Sequence, residues 1–150
     1  MIRRATPADS ARLGELGARF FMEAGLAERG LQFCPDSYFK TLAALDESGI
    51  LLVAEVDDEI VGVIGAGVCP AWWNNDVLTC QELLWYVLHS HRKGTGRKLF
   101  DAFETEAKSR GVRLIGMSAE EGLRSTALYR FYRQRSYSLA EHMFWKDCAA

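Results

Sequence analysis

The sequence predicts one mixed α/β domain over residues 1–150, an α+β arrangement of order β-α-α-β-β-β-α-β-α-β whose sheet begins as an antiparallel meander. Three observations lead there. Two β-branched runs, Ile50–Val56 and Ile60–Val68, flank the acidic turn Asp57-Asp58-Glu59 and read as a hairpin. A third apolar run, Leu83–Leu88, leads through a basic, glycine-containing turn to Leu99, Phe100, Phe103 and Ala107 at helix spacing. Beyond that helix's stop at Gly111, Val112–Ser118 is again strand-like. A strand, a crossover helix and a strand require a parallel pair with a right-handed connection.

Taken in order, Ile2–Ala5 forms a short edge strand. Thr6-Pro7-Ala8-Asp9 starts a helix: a hydroxyl N-cap, proline at the first helical position, an acid in the first turn. Leu13, Leu16, Phe20 and Phe21 mark its apolar face. Glu23 to Phe33, with Gly25 and Gly30, is a loop. A second helix begins near Pro35-Asp36, turns Tyr38, Phe39, Leu42 and Leu45 inward and stops at Gly49. After the hairpin, Pro70–Asp76 is a second turn that exposes Trp72-Trp73-Asn74-Asn75, and Leu78–Leu88 is the next strand. Ser125–Arg135 places Leu128, Phe131 and Tyr132 at helical spacing, and Leu139–Lys146 closes the chain as a strand. There is no internal repeat, low-complexity tract or linker.

Composition narrows the function. With 49% hydrophobic and 25% charged residues the chain reads as an ordinary soluble domain. A formal net charge of −2 argues against broad binding to nucleic acid or an acidic membrane. No apolar run approaches the roughly 20 residues of a membrane span, and the start has no signal-peptide apolar region. Cys34, Cys69, Cys80 and Cys148 make no C-x-x-C pair and no metal-ligand spacing with His89, His91 or His142. A cytoplasmic protein with reduced thiols and no metal is the expectation.

The local charge is more telling than the total. His89-Ser90-His91-Arg92-Lys93-Gly94-Thr95-Gly96-Arg97 joins the apolar strand to the long helix. The first N–H groups of a helix lack intrahelical partners and carry the positive end of its dipole, so they bind anions. Gly94 and Gly96 remove Cβ atoms that would hold a phosphate off, while Arg92, Lys93, Arg97 and Lys98 add charge. The turn reads as a pyrophosphate cradle, or more simply as a strand–helix turn. G-x-x-x-x-G-K-[ST] is absent, and G-x-G-x-x-G fails because Leu99 holds its last position. Gly65-Ala66-Gly67 lies inside a strand-like run, with no helix following.

His91-Arg92-Lys93-Gly94-Thr95-Gly96 resembles the coenzyme A signature of the GNAT acyltransferase superfamily, [QR]-x-x-G-x-[GA], with His91 in place of the usual Gln or Arg. The element order resembles that family across nearly the whole chain, most strongly from Ile50 to Tyr137. The resemblance implies acetyl-CoA as co-substrate and a primary amine, small or protein-borne, as acceptor. It also implies a bulge that splays the fourth and fifth strands. That bulge is expected near Tyr86-Val87, with main-chain groups of Val87 and Leu88 offered to the pantetheine arm.

Phe131-Tyr132-Arg133-Gln134-Arg135-Ser136-Tyr137 resembles the family's F-Y-x-x-x-G-F segment, with Ser136 at its glycine. The resemblance makes Tyr132 the acid that protonates the departing thiolate; the plainer reading is a core-packing aromatic, and Tyr129, one turn earlier, competes. Ser125 matches the family's pantetheine-binding asparagine, or is a helix N-cap. For a base, Glu82 lies on the strand leading to the cradle, where a half-buried carboxylate can accept a proton directly or through water; an edge-facing surface carboxylate is the plainer reading, with water alone as the base.

The acceptor pocket is expected from the end of the first helix, the loop after it and the Pro70–Asp76 turn. Phe20, Phe21, Glu23, Trp72, Trp73, Asp76 and Glu82 are its candidate lining, aromatic and acidic as suits a cationic amine. Trp72 and Trp73 equally suit a homodimer contact. Two other readings stand beside the enzyme: an acyl-CoA-binding regulatory or interaction module without turnover, and a nucleotide-binding domain.

Overall fold

Five strands form one sheet in chain order: β1 (Ile2–Arg4), β2 (Ile50–Val56), β3 (Glu59–Ala71), β4 (Asn74–Val87) and β5 (Leu114–Gly116). The first four are antiparallel, and β4 with β5 is parallel. The structure, a computed structural model, describes residues 1–119 and 125–148. The chain divides into two compact units, Met1–Ser118 and Ala119–Ala150.

In the larger unit, the β2–β3 connection is a two-residue turn in which Asp57 (φ 50°) and Asp58 (φ 62°) are both left-handed. That twist matches the flanking strands, and aspartate adopts it more readily than most residues. Helices cover both faces. Leu13 and Leu16 of α1 (Ser10–Glu23) and Leu42 and Leu45 of α2 (Pro35–Glu47) pack with Leu51, Val53, Val63, Leu84 and Tyr86 of the sheet. On the other face, α3 (Arg92–Ser109) buries Leu99, Phe100, Phe103 and Ala107 completely, as its spacing predicts. The start of α1 is fixed by Asp9. Its carboxylate accepts a bidentate pair from Arg3 (2.7 and 2.9 Å) and the Thr6 backbone N–H (2.7 Å), tying the first strand to the helix. Cys80 lies buried in β4, opposite Val68 and Ile115.

Three expectations change. The bulge is not near Tyr86-Val87: Gly65 pairs with Leu84 and Ala66 with Glu82, so Leu83 is the extra residue. A Cβ on Gly65 would meet Leu45 Cδ1 at 2.8 Å and Leu84 Cδ2 at 3.0 Å, so the close packing at the bulge needs a bare glycine. The strand expected over Val112–Ser118 is cut to Leu114–Gly116. The closing strand expected at Leu139–Lys146 does not form. Among the described residues, the smaller unit has one regular element, α4 (Ser125–Gln134), and no strand to supply a ladder there. Leu139, Met143, Phe144 and Trp145 are exposed.

Candidate active site

The parallel ladder ends at Gln81–Gly116, while β4 continues beside β3 to Val87 and then, through a 3₁₀ turn at His89–His91, into α3. The site is organised around that continuation. Glu82 occupies the first position past the ladder. It is 9% exposed, and its Oε2 accepts the backbone N–H of Ser118 at 3.1 Å. Leu83, the bulged residue, is 54% exposed beside it.

At the far end of the continuation lies the cradle. Gly94 has φ 88°, a left-handed conformation within the first turn of α3 that favours glycine. An added Cβ there would meet nothing within 4 Å, and one on Gly96 would touch Trp85 and Val87 only at 3.7 and 3.9 Å. Space beside Gly94 is therefore open to a ligand, while Gly96 faces the Trp85 and Val87 side chains, and the residues present fit a pyrophosphate at a helix N-terminus. Arg97 and Lys98 are exposed on the same turn, and Thr95 is half-buried. His91 Nδ1 lies 2.8 Å from Ser90 Oγ. The side chain of Lys93 lies outside the described residues.

Arg92 does not point to open solvent. Its Nε donates to the Val87 carbonyl (2.9 Å), its NH2 group to Glu23 Oε2 (2.6 Å), and its guanidinium lies 5.7 Å from the centre of the Tyr86 ring. Glu23 also accepts the Tyr86 hydroxyl at 2.6 Å. Burial raises the Glu23 carboxyl, but the Tyr86 hydroxyl, Arg92 and His89 outweigh it, leaving the group below the usual carboxylate range. Burial, then the Glu23 carboxylate, pushes the Tyr86 phenol up to about 12. Glu23, expected as an acceptor contact, bridges α1 to the root of α3.

A cavity of about 360 Å³ opens on the α1–α2 side of the bulge. Its walls are Phe20 and Phe21 from α1, Phe33 from the following loop, Tyr38 from α2, and Leu83 and Leu84 from β4. Phe21, Phe33 and Tyr38 form a run of tilted ring contacts with centroids 5.7 and 5.3 Å apart. Of the expected acceptor residues, Phe20 and Phe21 line this cavity. Trp72 and Trp73 do not. They stack edge-on at the β3–β4 turn, 90% and 56% exposed, more than roughly 30 Å along the chain from Leu83 at strand rise. Sequence reasoning missed Phe33, Tyr38 and Leu83. The signal for Leu83 was in plain view, since Gly65 in a strand interior marks a bulge opposite. Among the described residues no group of three or more His, Cys, Asp or Glu is arranged to hold a metal, and no helix is long and apolar enough to cross a membrane.

In the smaller unit, Tyr132 is buried at 7% exposure, its ring 5.9 Å from Phe131 and 5.7 Å from Tyr137. Tyr129 is 39% exposed. Ser136 takes φ 65°, so the helix ends through the left-handed turn for which glycine is the usual residue, and the Tyr137 N–H closes on the Tyr132 carbonyl at 3.0 Å. The side chain of Ser125 lies outside the described residues.

A family model described as "Acetyltransferase (GNAT) family" matches residues 18–135. No curated protein sequence is significantly similar. Solved structures share the fold at low identity. A transcriptional regulator from Bacillus halodurans C-125 has a TM-score of 0.76 at 22% identity, covering 98% of each chain. A ribosomal-protein-alanine N-acetyltransferase from Brucella melitensis biovar Abortus 2308 has 0.72 at 19%, covering 98% of this chain and 99% of that one. AAC(6')-Iy, in complex with the bisubstrate analog CoA-S-monomethyl-acetylneamine, has 0.73 at 14%, covering 100% and 98%.

Proposed function

The chain belongs to the acetyltransferase (GNAT) family, and on that footing we propose that it is a cytoplasmic N-acetyltransferase acting on a primary amine by direct attack. One observation carries the reading: β4 runs past its ladder with β5 and leads into a helix N-terminus where Gly94 leaves open space. Acetyl-CoA supplies the activated acyl group. Backbone N–H groups of the first α3 turn, with Thr95, Arg97, Lys93 and His91 around them, bind its pyrophosphate. Arg92 holds the turn in position through Val87 and Glu23. The main chain of Tyr86, Val87 and Leu88, and the Ser125 hydroxyl, bind the pantetheine arm.

The acceptor enters through the cavity at Leu83. Its nitrogen lone pair forms the C–N bond at the carbonyl carbon, the C–S bond breaks, and sulfur leaves with that electron pair. Sulfur takes the phenolic proton of Tyr132, which recovers one from water. The proton lost by the amine passes to water, or through water to Glu82. The test is thiol release from acetyl-CoA over a panel of amines, with the acetylated amine identified by mass. Coenzyme binding with no thiol release from any amine would instead make this a binding module without turnover.

A further inference from the structure

Resting on that reading, we infer that the acceptor is a monoamine with an aromatic or branched-alkyl body, and not a polycation. Among the described residues, no Asp, Glu, Lys, Arg or His lines the cavity. Two polar wall groups are bonded within the wall, while the Tyr38 hydroxyl is buried without a hydrogen-bond partner among the described residues. Ser37 Oγ donates to Cys34 Sγ (3.3 Å), and Thr41 Oγ1 to the Ser37 carbonyl (3.2 Å). Burial pushes the Tyr38 phenol up to about 12, so that ring stays neutral. Asp36 and Glu82 adjoin Ser37 and Leu83 in sequence but do not line the cavity, Glu82 accepting the Ser118 backbone N–H, and Glu23 is held by Arg92 and Tyr86.

The width of the cavity is set from behind. The Tyr38 ring tip lies against bare backbone at Gly17, where a Cβ would meet its Cζ at 2.4 Å. The ring therefore sits close against α1, leaving a space at the small end of ordinary ligand pockets. A flat or branched apolar body fills it. A polyamine or an aminoglycoside would have to shed water from several ammonium groups with no counter-charge to receive them.

The same lining serves the chemistry. Desolvation disfavours an ammonium, so a single amine seated among these rings is shifted toward the neutral, nucleophilic form. Ring faces offset part of the cost for the fraction that arrives charged. Delivery of a neutral amine then needs no dedicated protein base.

The experiment compares 2-phenylethylamine and isoamylamine with spermidine and kanamycin, by thiol release at saturating acetyl-CoA and, separately, by calorimetry in the presence of CoA. The two monoamines should be preferred by about 100-fold in kcat/KM, as a pocket without counter-charges implies. Ser37→Trp, at an exposed wall position, should raise KM for 2-phenylethylamine about 10-fold while leaving that for acetyl-CoA unchanged. Thr41→Glu, which adds a carboxylate to the wall, should narrow the gap to spermidine about 10-fold. Spermidine or kanamycin turned over faster by the unaltered enzyme, or turnover indifferent to both substitutions, would overturn the inference while acyl transfer stood. Calorimetric binding of 2-phenylethylamine that Ser37→Trp abolishes, with no thiol release from any amine, would uphold the cavity's specificity and remove the acyl-transfer reading. Neither binding nor release would remove both.

Discussion

Around the root of α3 the groups proposed to bind come from one run of sequence, residues 89–97; around Leu83 the lining comes from α1, the loop after it, α2 and β4. The cradle is basic, glycine-turned and built from backbone, and the cavity is neutral and built from rings. A backbone site needs its glycines adjacent, because a helix has one N-terminus. A site made of side chains needs only that several elements converge, which a linear pattern does not reveal. On the proposed reading the difference teaches where specificity is stored: coenzyme recognition would be local, and acceptor recognition would belong to the tertiary packing of α1 on α2.

Substitutions can separate the two. The largest effect is expected for neither site but for the group proposed to protonate the leaving thiolate. Tyr132→Phe should leave both binding constants in place and lower kcat by about 10²–10⁴-fold, the usual contribution of a positioned acid. The matched Tyr129→Phe, on the exposed side of the same helix, should keep its turnover. Steady-state kinetics on the pair decides it, since a purely packing role predicts lost stability with near-normal kcat for Tyr132→Phe.

Gly96→Glu should break the cradle alone. A Cβ there would meet Trp85 and Val87 only at ordinary contact distance, so the fold should persist while the added charge opposes an anion at this turn. CoA affinity should fall about 100-fold, several contacts' worth of charge-assisted hydrogen bonds, with 2-phenylethylamine binding retained. Calorimetry showing unchanged CoA affinity in a folded variant would remove the cradle from this turn.

Acid should loosen the cavity side first, because Asp9 anchors α1. The Arg3 guanidinium, with the Thr6 backbone and hydroxyl behind it, outweighs burial and holds the Asp9 carboxyl down at about 2, from an ordinary 3.8. A group depressed in the folded state contributes stability above its unfolded pKa and loses it as pH falls through the folded one. About 2 kcal/mol should therefore disappear between pH 3.8 and about 2. Asp9→Asn should remove that segment of the stability profile in urea titrations, and an unchanged profile would count against the anchor.

The smallest effect lies in the other unit. Ser136 is left-handed at φ 65°, so Ser136→Gly should stabilise the end of α4 by about 0.5–1 kcal/mol, seen as a raised denaturation midpoint with both binding constants unmoved.

What the sequence made legible follows the same division. The strand at Ile50–Val56, the hairpin turn and the α3 core residues stand where periodicity put them, because each depends on neighbours in the chain. The bulge was misplaced by a few residues because register is a property of two strands, and the telling glycine lies on the partner. Phe33 and Tyr38 looked like loop and core residues until α2 folded back on α1. The closing strand was read from its apolar residues alone, yet a strand exists only where another offers a ladder.

Cys80 gives the sheet a built-in clock. Cys34, Cys69 and Cys148 are exposed, while Cys80 is buried between β3 and β5, with burial first among the causes that push its thiol up to about 11. A thiol reagent applied to the folded protein therefore meets three sulfurs promptly and the fourth only when the β4–β5 region opens. Its slow labelling phase times excursions of the central sheet under native conditions, and CoA held along β4 should lengthen it in proportion to its saturation.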